Sequence, residues 1–418
     1  MEHKTGLLGE HLGHSISPMI HNLITGSGYG LFERSEGEVG GFVRDCGLDG
    51  FNVTVPYKKT VMPFLDRLSE EARRVGAVNT VVNGNGVLTG YNTDVYGFKA
   101  LLTKAGIDIY GKRAVILGTG GAAAAVKTAL GDLGAAEILS VSRAGELNYT
   151  NIYGLKTADV IINATPVGMF PHDGGYPVDL TRFEYIGAAV DLIYNPLRTR
   201  FIDSAQRLGI KTADGLYMLA SQAVRSCELF YNTEYPQGFT DRIYSDVLLR
   251  YGNIALIGMP GAGKNTVGRI LADKIGRPLA DTDEMITEKY GRTPEEIIIT
   301  DGEEYFRRLE SAVIAELSDK HGTVIVTGGG AVTIPRNIFA IRKNSAVVFI
   351  DRPPDKLDIS GRPLSAKYGI DRLYADRLPL YKHCADFTVV NDASPEAAAE
   401  EIRAESIKRL FYYEASYH

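Results

Sequence analysis

The chain has 418 residues, too many for one ordinary hydrophobic core, so we expect two or three domains. With 44% hydrophobic residues, 23% charged residues and a net charge of −6, it has a globular composition and no general electrostatic attraction to nucleic acid or anionic membranes. Three widely separated cysteines and the lack of an apolar stretch of membrane-spanning length favour a cytoplasmic protein without a disulfide framework.

Three polar clusters interrupt the apolar sequence before residue 100: GHSISPMIHN, GFNVTVPYKK and GAVNTVVNGNGVLTGYNTD. Such short donors and acceptors suit a small polyhydroxylated acid, although each cluster alone is also typical of a turn or a helix cap. Lys58 follows a strand-like segment and can supply a proton to a carbonyl group under reduction, with Asp94 holding its ammonium group. The other candidate polar residues are Ser15, Ser17, Asn52, Thr54 and Asn79.

The segment RAVILGTGGAAAAVKTAL predicts a strand, a glycine turn and a helix. Residues 118–123 fit G-x-G-x-x-A, in which backbone N–H groups at the helix start hold the pyrophosphate of a dinucleotide. The next strand ends in Ser142 and Arg143, where NAD sites usually have an acidic residue. A hydroxyl and a cation suit a 2′-phosphate, which favours NADP(H) over NAD; the alternative is that Arg143 is only a solvated surface residue.

A second strand–glycine–helix segment, NIALIGMPGAGKNTVGRILADKI, nearly matches a phosphate-binding P-loop. The pattern requires Ser or Thr after Lys264 to ligate Mg²⁺, whereas this chain has Asn265, with Thr266 one position late. An amide oxygen is also a hard donor, so Asn265 can replace the hydroxyl directly or through water, while Thr266 would lie about 100° away around the helix. The glycines that free the loop backbone to wrap the phosphates of ATP are Gly258, Gly261 and Gly263.

Two acidic residues and a glycine run follow the P-loop. If Asp281 and Asp283 lie at a strand end, one can hold the waters of a metal ion and the other a substrate hydroxyl; the alternative is a helix N-cap at Asp283 or Thr282. The three glycines that end TVIVTGGGAV suit the close approach of a ligand.

Three arginines in the last third are further candidates. Arg307 precedes Glu310 by three residues, the spacing of an ordinary helical salt bridge. Arg362 and Arg377 occur in or beside loop-like sequence, where arginine can clamp a carboxylate or stabilise a phosphoryl transition state. Each arginine alone is also typical of a surface residue.

In combination, residues 5–245 closely resemble shikimate dehydrogenase, through LLGEHLGHSISPMIHN, NVTVPYK, AVNT, NTD, GTGGAAAAV, INATPVGM, DLIYNPLRT and GLYMLASQA in the family's order. The resemblance implies that Lys58 and Asp94 are the catalytic pair. The family's usual Asn-Arg-Thr at the second strand end is Ser-Arg-Ala here. The implied substrate contacts are Ser15, Ser17, Thr54, Asn79, Tyr194 and Gln222. The implied NADP site comprises Gly118, Thr119, Gly120, Gly121, Ala122, Ser142, Arg143 and Gly215.

Residues 253–405 resemble shikimate kinase. The resemblance implies that Asp283 takes the proton from the attacking 3-hydroxyl of shikimate, and that Lys264 and Arg362 stabilise the transferred phosphoryl group. Arg307, Gly329 and Arg377 would hold shikimate. Two features depart from the shikimate kinase pattern. Asn265, which with Asp281 is the predicted magnesium site, replaces the usual Ser or Thr. The stretch between DRPP and GRPL, where the lid is expected, is short.

Together these patterns predict an α/β protein: a two-lobed dehydrogenase, with a substrate lobe and a Rossmann NADP lobe, fused to a P-loop parallel-sheet domain like a nucleoside-monophosphate kinase. The predicted parts are a substrate lobe at 1–104 closed by helices at 215–248, an NADP lobe at 105–214, a linker at 249–252 and a kinase domain at 253–410.

The implied function is NADPH-dependent reduction of 3-dehydroshikimate to shikimate, then MgATP-dependent phosphorylation to shikimate 3-phosphate. The expected partners are these small molecules, and no oligomeric state is predicted. One alternative is that the kinase-like domain is catalytically silent and only binds its ligands. Another is a dehydrogenase that prefers quinate and NAD.

Overall fold

The computed structural model describes residues 4–13, 15–357 and 369–411. The chain divides into two compact units, with the division between Val247 and Leu248. Both units alternate strands and helices, which confirms the predicted α/β class. In the part of the chain that the structure describes, no helix combines the length and the apolarity needed to cross a membrane.

The first unit begins with a mixed six-stranded sheet. Its strands are β1 (Thr5–Gly9), β2 (Tyr29–Glu33), β3 (Gly50–Val53), β4 (Arg67–Leu68), β5 (Thr80–Gly84) and β6 (Val87–Tyr91). Its helices are α1 (Ser17–Thr25), α2 (Val39–Asp45), α3 (Glu70–Val75) and α4 (Thr93–Lys104). The strand order is β2-β1-β3-β5-β6-β4, and β5 runs antiparallel to both of its neighbours. Leu8, Phe51 and Val81 lie in the core of this sheet.

A five-stranded parallel sheet follows in the same unit, in the order β11-β10-β9-β7-β8. Its strands are β7 (Arg113–Leu117), β8 (Glu137–Val141), β9 (Thr157–Asn163), β10 (Tyr185–Asp191) and β11 (Lys211–Ala213). The helices are α5 (Gly121–Asp132), α6 (Arg200–Arg207), α7 (Gly215–Tyr231) and α8 (Phe239–Tyr251). Helix α7 returns to pack on α4 of the first sheet, so the chain after the parallel sheet rejoins the first lobe. Helix α8 runs through most of the predicted linker at 249–252.

The second unit is built on a parallel sheet in the order β13-β14-β12-β15-β16. Its strands are β12 (Asn253–Ile257), β13 (Leu279–Asp281), β14 (Val324–Val326), β15 (Ser345–Asp351) and β16 (Phe387–Val390). The three central strands β14, β12 and β15 are largely apolar and buried, as strands covered on both faces require, whereas the edge strands β13 and β16 are only partly buried. The helices are α9 (Lys264–Ile275), α10 (Thr282–Tyr290), α11 (Pro294–Asp301), α12 (Glu303–Ser318), α13 (Pro335–Arg342), α14 (Ile370–Cys384) and α15 (Pro395–Phe411).

Short 3-10 helices occur in the connections of both units. They are Glu36–Glu38, Met62–Phe64, Ile152–Leu155, Leu180–Arg182, Ala331–Thr333 and Pro354–Lys356. In both parallel sheets the strands end at a common edge, which is where ligands bind in open α/β sheets. The candidate nucleotide sites lie at these edges.

Candidate active sites

The predicted pair Lys58 and Asp94 is in contact in the first unit. Lys58 comes five residues after the end of β3, and Asp94 lies in the first turn of α4. The ammonium Nζ of Lys58 is 2.6 Å from Oδ2 of Asp94, and the side chains are 19% and 10% exposed. The ion pair is therefore partly shielded from water, and the ammonium group is held at one place at the surface of the site.

Asn79 fixes the other oxygen of this carboxylate. Its Nδ2 donates to Oδ1 of Asp94 at 2.9 Å and to the hydroxyl of Thr93 at 3.0 Å. Its Oδ1 in turn accepts from the backbone N–H of Thr93 at 2.7 Å. Because both Asp94 oxygens have donors, the orientation of the carboxylate toward Lys58 is fixed.

A buried polar network lies behind these residues. Asn52 donates to the hydroxyls of Thr80 at 3.0 Å and Ser226 at 2.8 Å, and accepts from the Tyr29 hydroxyl at 2.7 Å. Thr80 and Ser226 both approach the Thr93 hydroxyl at 3.2 Å. The network thus connects the interior of the lobe to the carboxylate site through hydrogen bonds.

The remaining predicted substrate residues divide into two groups. Gln222 on α7 joins the site, because its Oε1 accepts from the Thr93 hydroxyl at 3.4 Å. No hydrogen bond within the described residues ties the others to Lys58 or Asp94. Ser15, Ser17 and Thr54 are half-buried and lie near the ends of β1 and β3. Tyr194 follows β10, and burial raises the pKa of its hydroxyl group.

The predicted dinucleotide turn follows β7. Gly118 has a φ of +107°, and α5 begins at Gly121 after Gly120, without a side-chain cap on its first N–H groups. Thr119 and Ala122 belong to the same turn and first helical residues. A Cβ added at Gly121 would lie 3.9 Å from Cδ of Lys58. The uncapped helix start, which suits an anion, is therefore adjacent to the lysine of the other lobe.

Ser142 and Arg143 follow β8, the parallel neighbour of β7, at the same edge of the sheet. Ser142 is half-buried and Arg143 is exposed. The charge of Arg143 acts against the burial that raises the pKa of Tyr149, so the two side chains are near one another. A solvent-facing cation at this strand end fits a 2′-phosphate; its role stays a prediction.

Gly215 begins α7 directly beside the end of β10. A Cβ at this position would collide with the backbone carbonyl of Leu192, so only glycine allows this approach. The preceding Asp214 caps the helix by accepting from the N–H of Leu216 at 2.9 Å, and burial raises its pKa to about 7. Gly215 therefore has a structural reason to be glycine beside its predicted role in the NADP site.

The P-loop of the second unit connects β12 to α9. Gly258 has a φ of +147°, and a Cβ there would collide with the carbonyl oxygen of Ile350. Gly261 and Gly263 also have positive φ, and α9 begins at Lys264 without a side-chain cap. The Lys264 ammonium group is buried and donates to the carbonyls of residues 258 and 259, at 3.0 and 2.9 Å. The loop thus combines uncapped N–H groups with a fixed positive charge.

Asn265 contacts Asp281, the residue predicted with it as a metal site. The Asn265 amide nitrogen donates to Oδ2 of Asp281. Oδ1 of Asp281 accepts from the N–H groups of Asp283 at 2.7 Å and Glu284 at 3.3 Å. The N-cap of α10 is therefore Asp281, and the alternative that Asp283 or Thr282 caps this helix is wrong. Thr266, the next residue along α9, is exposed.

The Asp283 carboxyl group lies in an acidic, poorly solvated place. Its Oδ1 is buried and has no hydrogen-bond partner among the described residues. Burial, reinforced by the charges of Asp281 and Glu310, raises the pKa of Asp283 to about 6, against the opposing charges of Lys264 and Arg307. A carboxylate with this pKa can accept a proton near neutral pH.

Arg307 lies against the three-glycine loop after β14. Its guanidinium group donates to Glu310 at 2.7 Å and to Glu303 at 3.2 Å, and Glu310 is fully buried. A Cβ at Gly330 would collide with this guanidinium group. The Arg307–Glu310 pair is therefore an interior feature beside the loop, unlike an ordinary helical salt bridge on the surface.

Arg377 reaches the same loop from α14. It is buried and donates to the carbonyl of Gly329 at 3.2 Å, and the Tyr381 hydroxyl donates to the same oxygen. The structure therefore brings Arg307, Arg377 and Gly329 together near Asp283. Arg362, the predicted lid residue, lies outside the described residues.

Several residues of these sites have no signal in the sequence that identifies their role. Thr93 lies inside the NTD motif, but nothing in the sequence marks its hydroxyl as the link between Asn79 and Gln222. Ser226 has no local signal, because it reaches Asn52 from 174 positions away. Tyr381 lies one helical turn after Arg377, a spacing that would have put both on one face of α14.

The first unit thus has the parts of a dinucleotide-dependent oxidoreductase, and the second those of a P-loop phosphotransferase. Residues 7–81 match the family model of the shikimate dehydrogenase substrate binding domain, and residues 260–408 match the shikimate kinase model. A shikimate dehydrogenase (NADP(+)) of Clostridium perfringens (strain 13 / Type A) is 36% identical over 267 residues, which are 59% of this chain and 98% of that protein. The chain belongs to the shikimate dehydrogenase family and also carries a shikimate kinase domain.

Solved structures similar to the chain cover the dehydrogenase part. A chorismate mutase/shikimate 5-dehydrogenase fusion protein from Clostridium acetobutylicum is 39% identical, with a TM-score of 0.57 over 59% of this chain and 97% of that chain. Shikimate 5-dehydrogenase from Thermus thermophilus, solved with NADP(H) and shikimate, is 30% identical, with a TM-score of 0.52 over 58% and 99%. The dehydrogenase fold is therefore nearly complete in this chain.

Proposed function

We propose that the chain is a bifunctional enzyme that reduces 3-dehydroshikimate to shikimate with NADPH and then phosphorylates the 3-hydroxyl of shikimate with MgATP. The reduction is supported best by one observation, the Lys58–Asp94 ion pair beside the start of α5. The phosphorylation is supported by Asp283 beside the P-loop and the two arginines. We assign both reactions to the cytoplasm, in keeping with three cysteines that form no disulfide.

In the reduction, Lys58 would protonate the carbonyl oxygen of the substrate as the carbonyl carbon accepts hydride. Asp94 keeps the ammonium group at that position, and Asn79 keeps the carboxylate turned toward it. After the transfer the neutral amine regains a proton from solvent, since the Lys58 side chain is still 19% exposed. Proton transfer from a positioned side chain typically contributes about 10²–10⁴-fold to a rate.

NADPH would supply the hydride, and the residues present fit it. The turn from Gly118 to Ala122 offers uncapped N–H groups to the pyrophosphate, and Gly215 leaves room where α7 begins. Ser142 and Arg143 lie at the strand end where the adenosine ribose is expected, and they suit its 2′-phosphate.

In the phosphorylation, Asp283 would accept the proton of the 3-hydroxyl group. Arg307 and Arg377, with the Gly329 backbone, would bind the shikimate carboxylate and hydroxyls, because both guanidinium groups lie on the glycine loop. Lys264 and Arg362 would neutralise the charge of the transferred phosphoryl group. Phosphoryl transfer needs mainly positioning and charge stabilisation, which this set of groups supplies.

The Asn265–Asp281 pair fits Mg²⁺, which would neutralise charge on the β- and γ-phosphates of ATP. A carboxylate oxygen can only accept hydrogen bonds, so the contact with Asp281 requires the amide nitrogen of Asn265 to face it. The amide oxygen then points away from Asp281, and it is a ligand of the kind that Mg²⁺ takes beside its waters. The amide thus supplies a hydrogen-bond donor and a metal ligand, the two capacities of the usual hydroxyl.

The reductase activity is tested by NADPH oxidation with 3-dehydroshikimate, comparing Lys58→Gln with its exposed neighbour Lys59→Gln. We expect Lys58→Gln to lose at least about a hundredfold in kcat, and Lys59→Gln to keep it. Equal rates for the two variants would contradict the role of Lys58. Initial rates with shikimate and quinate, each with NADP and NAD, test the alternative preference, against which Arg143 argues.

The kinase activity is tested by ATP-dependent phosphorylation of shikimate across a magnesium titration, for the natural chain and Asn265→Ser. Saturable turnover by both, with a lower magnesium requirement in the serine variant, would support an active kinase in which Asn265 tunes metal binding. No turnover by the natural chain at any magnesium concentration, with turnover gained by Asn265→Ser, would instead support a silent domain kept for binding.

A further inference from the structure

Arg352 lies beside the P-loop, one residue after the end of β15. Strand β15 is the parallel neighbour of β12, so the two strands end at the same edge of the sheet. A Cβ added at Gly263, the last residue before α9, would lie 3.8 Å from Nη1 of Arg352. The guanidinium group is therefore adjacent to the start of α9, where the loop offers its N–H groups.

The Arg352 guanidinium group lacks an anionic partner among the described residues. Its Nε is buried and makes no hydrogen bond, and no carboxylate of the described ranges forms an ion pair with it. The adjacent Asp351 instead accepts from the Tyr374 hydroxyl at 3.0 Å. A buried guanidinium N–H without an acceptor is costly, so this position favours an anion supplied from outside the protein.

Asn391 holds the loop backbone against this cation. It follows β16, the other neighbour of β15, and its Nδ2 donates to the carbonyl of Ala262 at 2.8 Å. A Cβ at Gly263 would lie 2.5 Å from the same nitrogen, so the loop is closely packed on Asn391. Arg352 and Asn391 thus reach the end of the P-loop from adjacent strands.

We propose that Arg352 binds the phosphate groups of the nucleotide as a second cation of the P-loop, in addition to Lys264. This inference rests on the proposed kinase function. Arginine suits the role because its planar donors match two phosphate oxygens at once, while lysine provides a single point charge. It would give the domain a phosphate contact outside the short stretch between DRPP and GRPL, where the sequence predicts the lid.

The test is ADP binding to the full chain by calorimetry, with Mg²⁺ and with EDTA, for Arg352→Gln, Arg352→Lys and the control Arg308→Gln. The control removes the same charge from the exposed face of α12. We expect Arg352→Gln to weaken ADP binding about tenfold or more in both media, Arg352→Lys to weaken it less, and the control to leave it unchanged. Adenosine, which lacks phosphate, should bind the natural chain and Arg352→Gln equally. An unchanged circular-dichroism spectrum and an unchanged urea unfolding transition of the second unit check that the variants fold.

Three results would overturn the proposal. Unchanged ADP binding by Arg352→Gln would remove the contact altogether. An equal loss for ADP and adenosine would mean that the arginine contacts the nucleoside instead. Failure of the natural chain to bind ADP would overturn the kinase function together with this inference, whereas the first two results leave the kinase function intact.

Discussion

The pH dependence of shikimate phosphorylation should report the titration of Asp283. Burial, with the Asp281 and Glu310 charges, raises the pKa of this carboxyl group to about 6. In the proposed reaction it must be ionised to accept the proton of the substrate hydroxyl. The kinase should therefore lose kcat/KM for shikimate as the pH falls through about 6.

The expected loss of kcat/KM at low pH is large enough to distinguish Asp283 from an aspartate with an ordinary pKa. With a pKa of about 6, kcat/KM at pH 5 should be about one tenth of its plateau, with a further tenfold loss per pH unit below. A carboxyl group with the usual pKa of about 3.9 would still be more than about 90% ionised at pH 5. The two cases differ roughly tenfold at that pH.

The assay is kcat/KM for shikimate at saturating MgATP between pH 4.5 and 8, on the natural chain and on Glu310→Gln. Removing the Glu310 charge takes away one cause of the raised pKa of Asp283, so the acid limb should move to lower pH. The phosphates of ATP titrate in the same way in the assays of both proteins. A shift of the acid limb between the two proteins must therefore come from a group of the protein. A profile that stays flat to pH 4.5, or an acid limb that does not move in the variant, would refute the assignment.

Three further predictions concern single substitutions. Arg143→Gln should raise KM for NADPH about tenfold or more and leave KM for NADH unchanged, because only NADPH has the 2′-phosphate; equal changes would contradict the contact. Asn52→Leu should lower the free energy of unfolding by about 3 kcal/mol in urea titrations, since it leaves buried hydroxyls without partners; a loss below about 1 kcal/mol would mean that the network stabilises little. Gly258→Ala should abolish ADP binding through its collision with the Ile350 carbonyl, whereas Gly276→Ala, also at positive φ but in open space, should retain it; binding by both would refute the steric argument.

The two ligand-binding turns could be predicted because all their determinants are contiguous. In each, an apolar strand, a glycine turn and a helix follow one another within about twenty residues, and the helices begin where the patterns indicate, at Gly121 and Lys264. The chemistry at these turns depends on backbone N–H groups at a helix start, which any sequence with this order of elements presents.

The surroundings of the carboxylates proposed to be catalytic could not be predicted in the same way. The environment of Asp283 depends on Glu310, which lies 27 positions later on another helix, and on the burial of both groups. The support of Asp94 passes through Asn79 and Thr93 to Ser226 on α7. These contacts arise only when distant helices pack, and the residue types involved are equally common in turns and caps.

The two sites also differ in how their lysines are held, and this has a functional consequence. Lys264 is the first residue of the helix that would bind the phosphates, so its position follows from one turn of backbone. Lys58 comes from the mixed sheet, whereas the dinucleotide turn belongs to the parallel sheet, and the two approach at Gly121. In the proposed reaction the proton and hydride donors would thus be held by different lobes. The rate of the proposed reduction would therefore depend on how closely the lobes approach, while the position of Lys264 in the P-loop is fixed within one element.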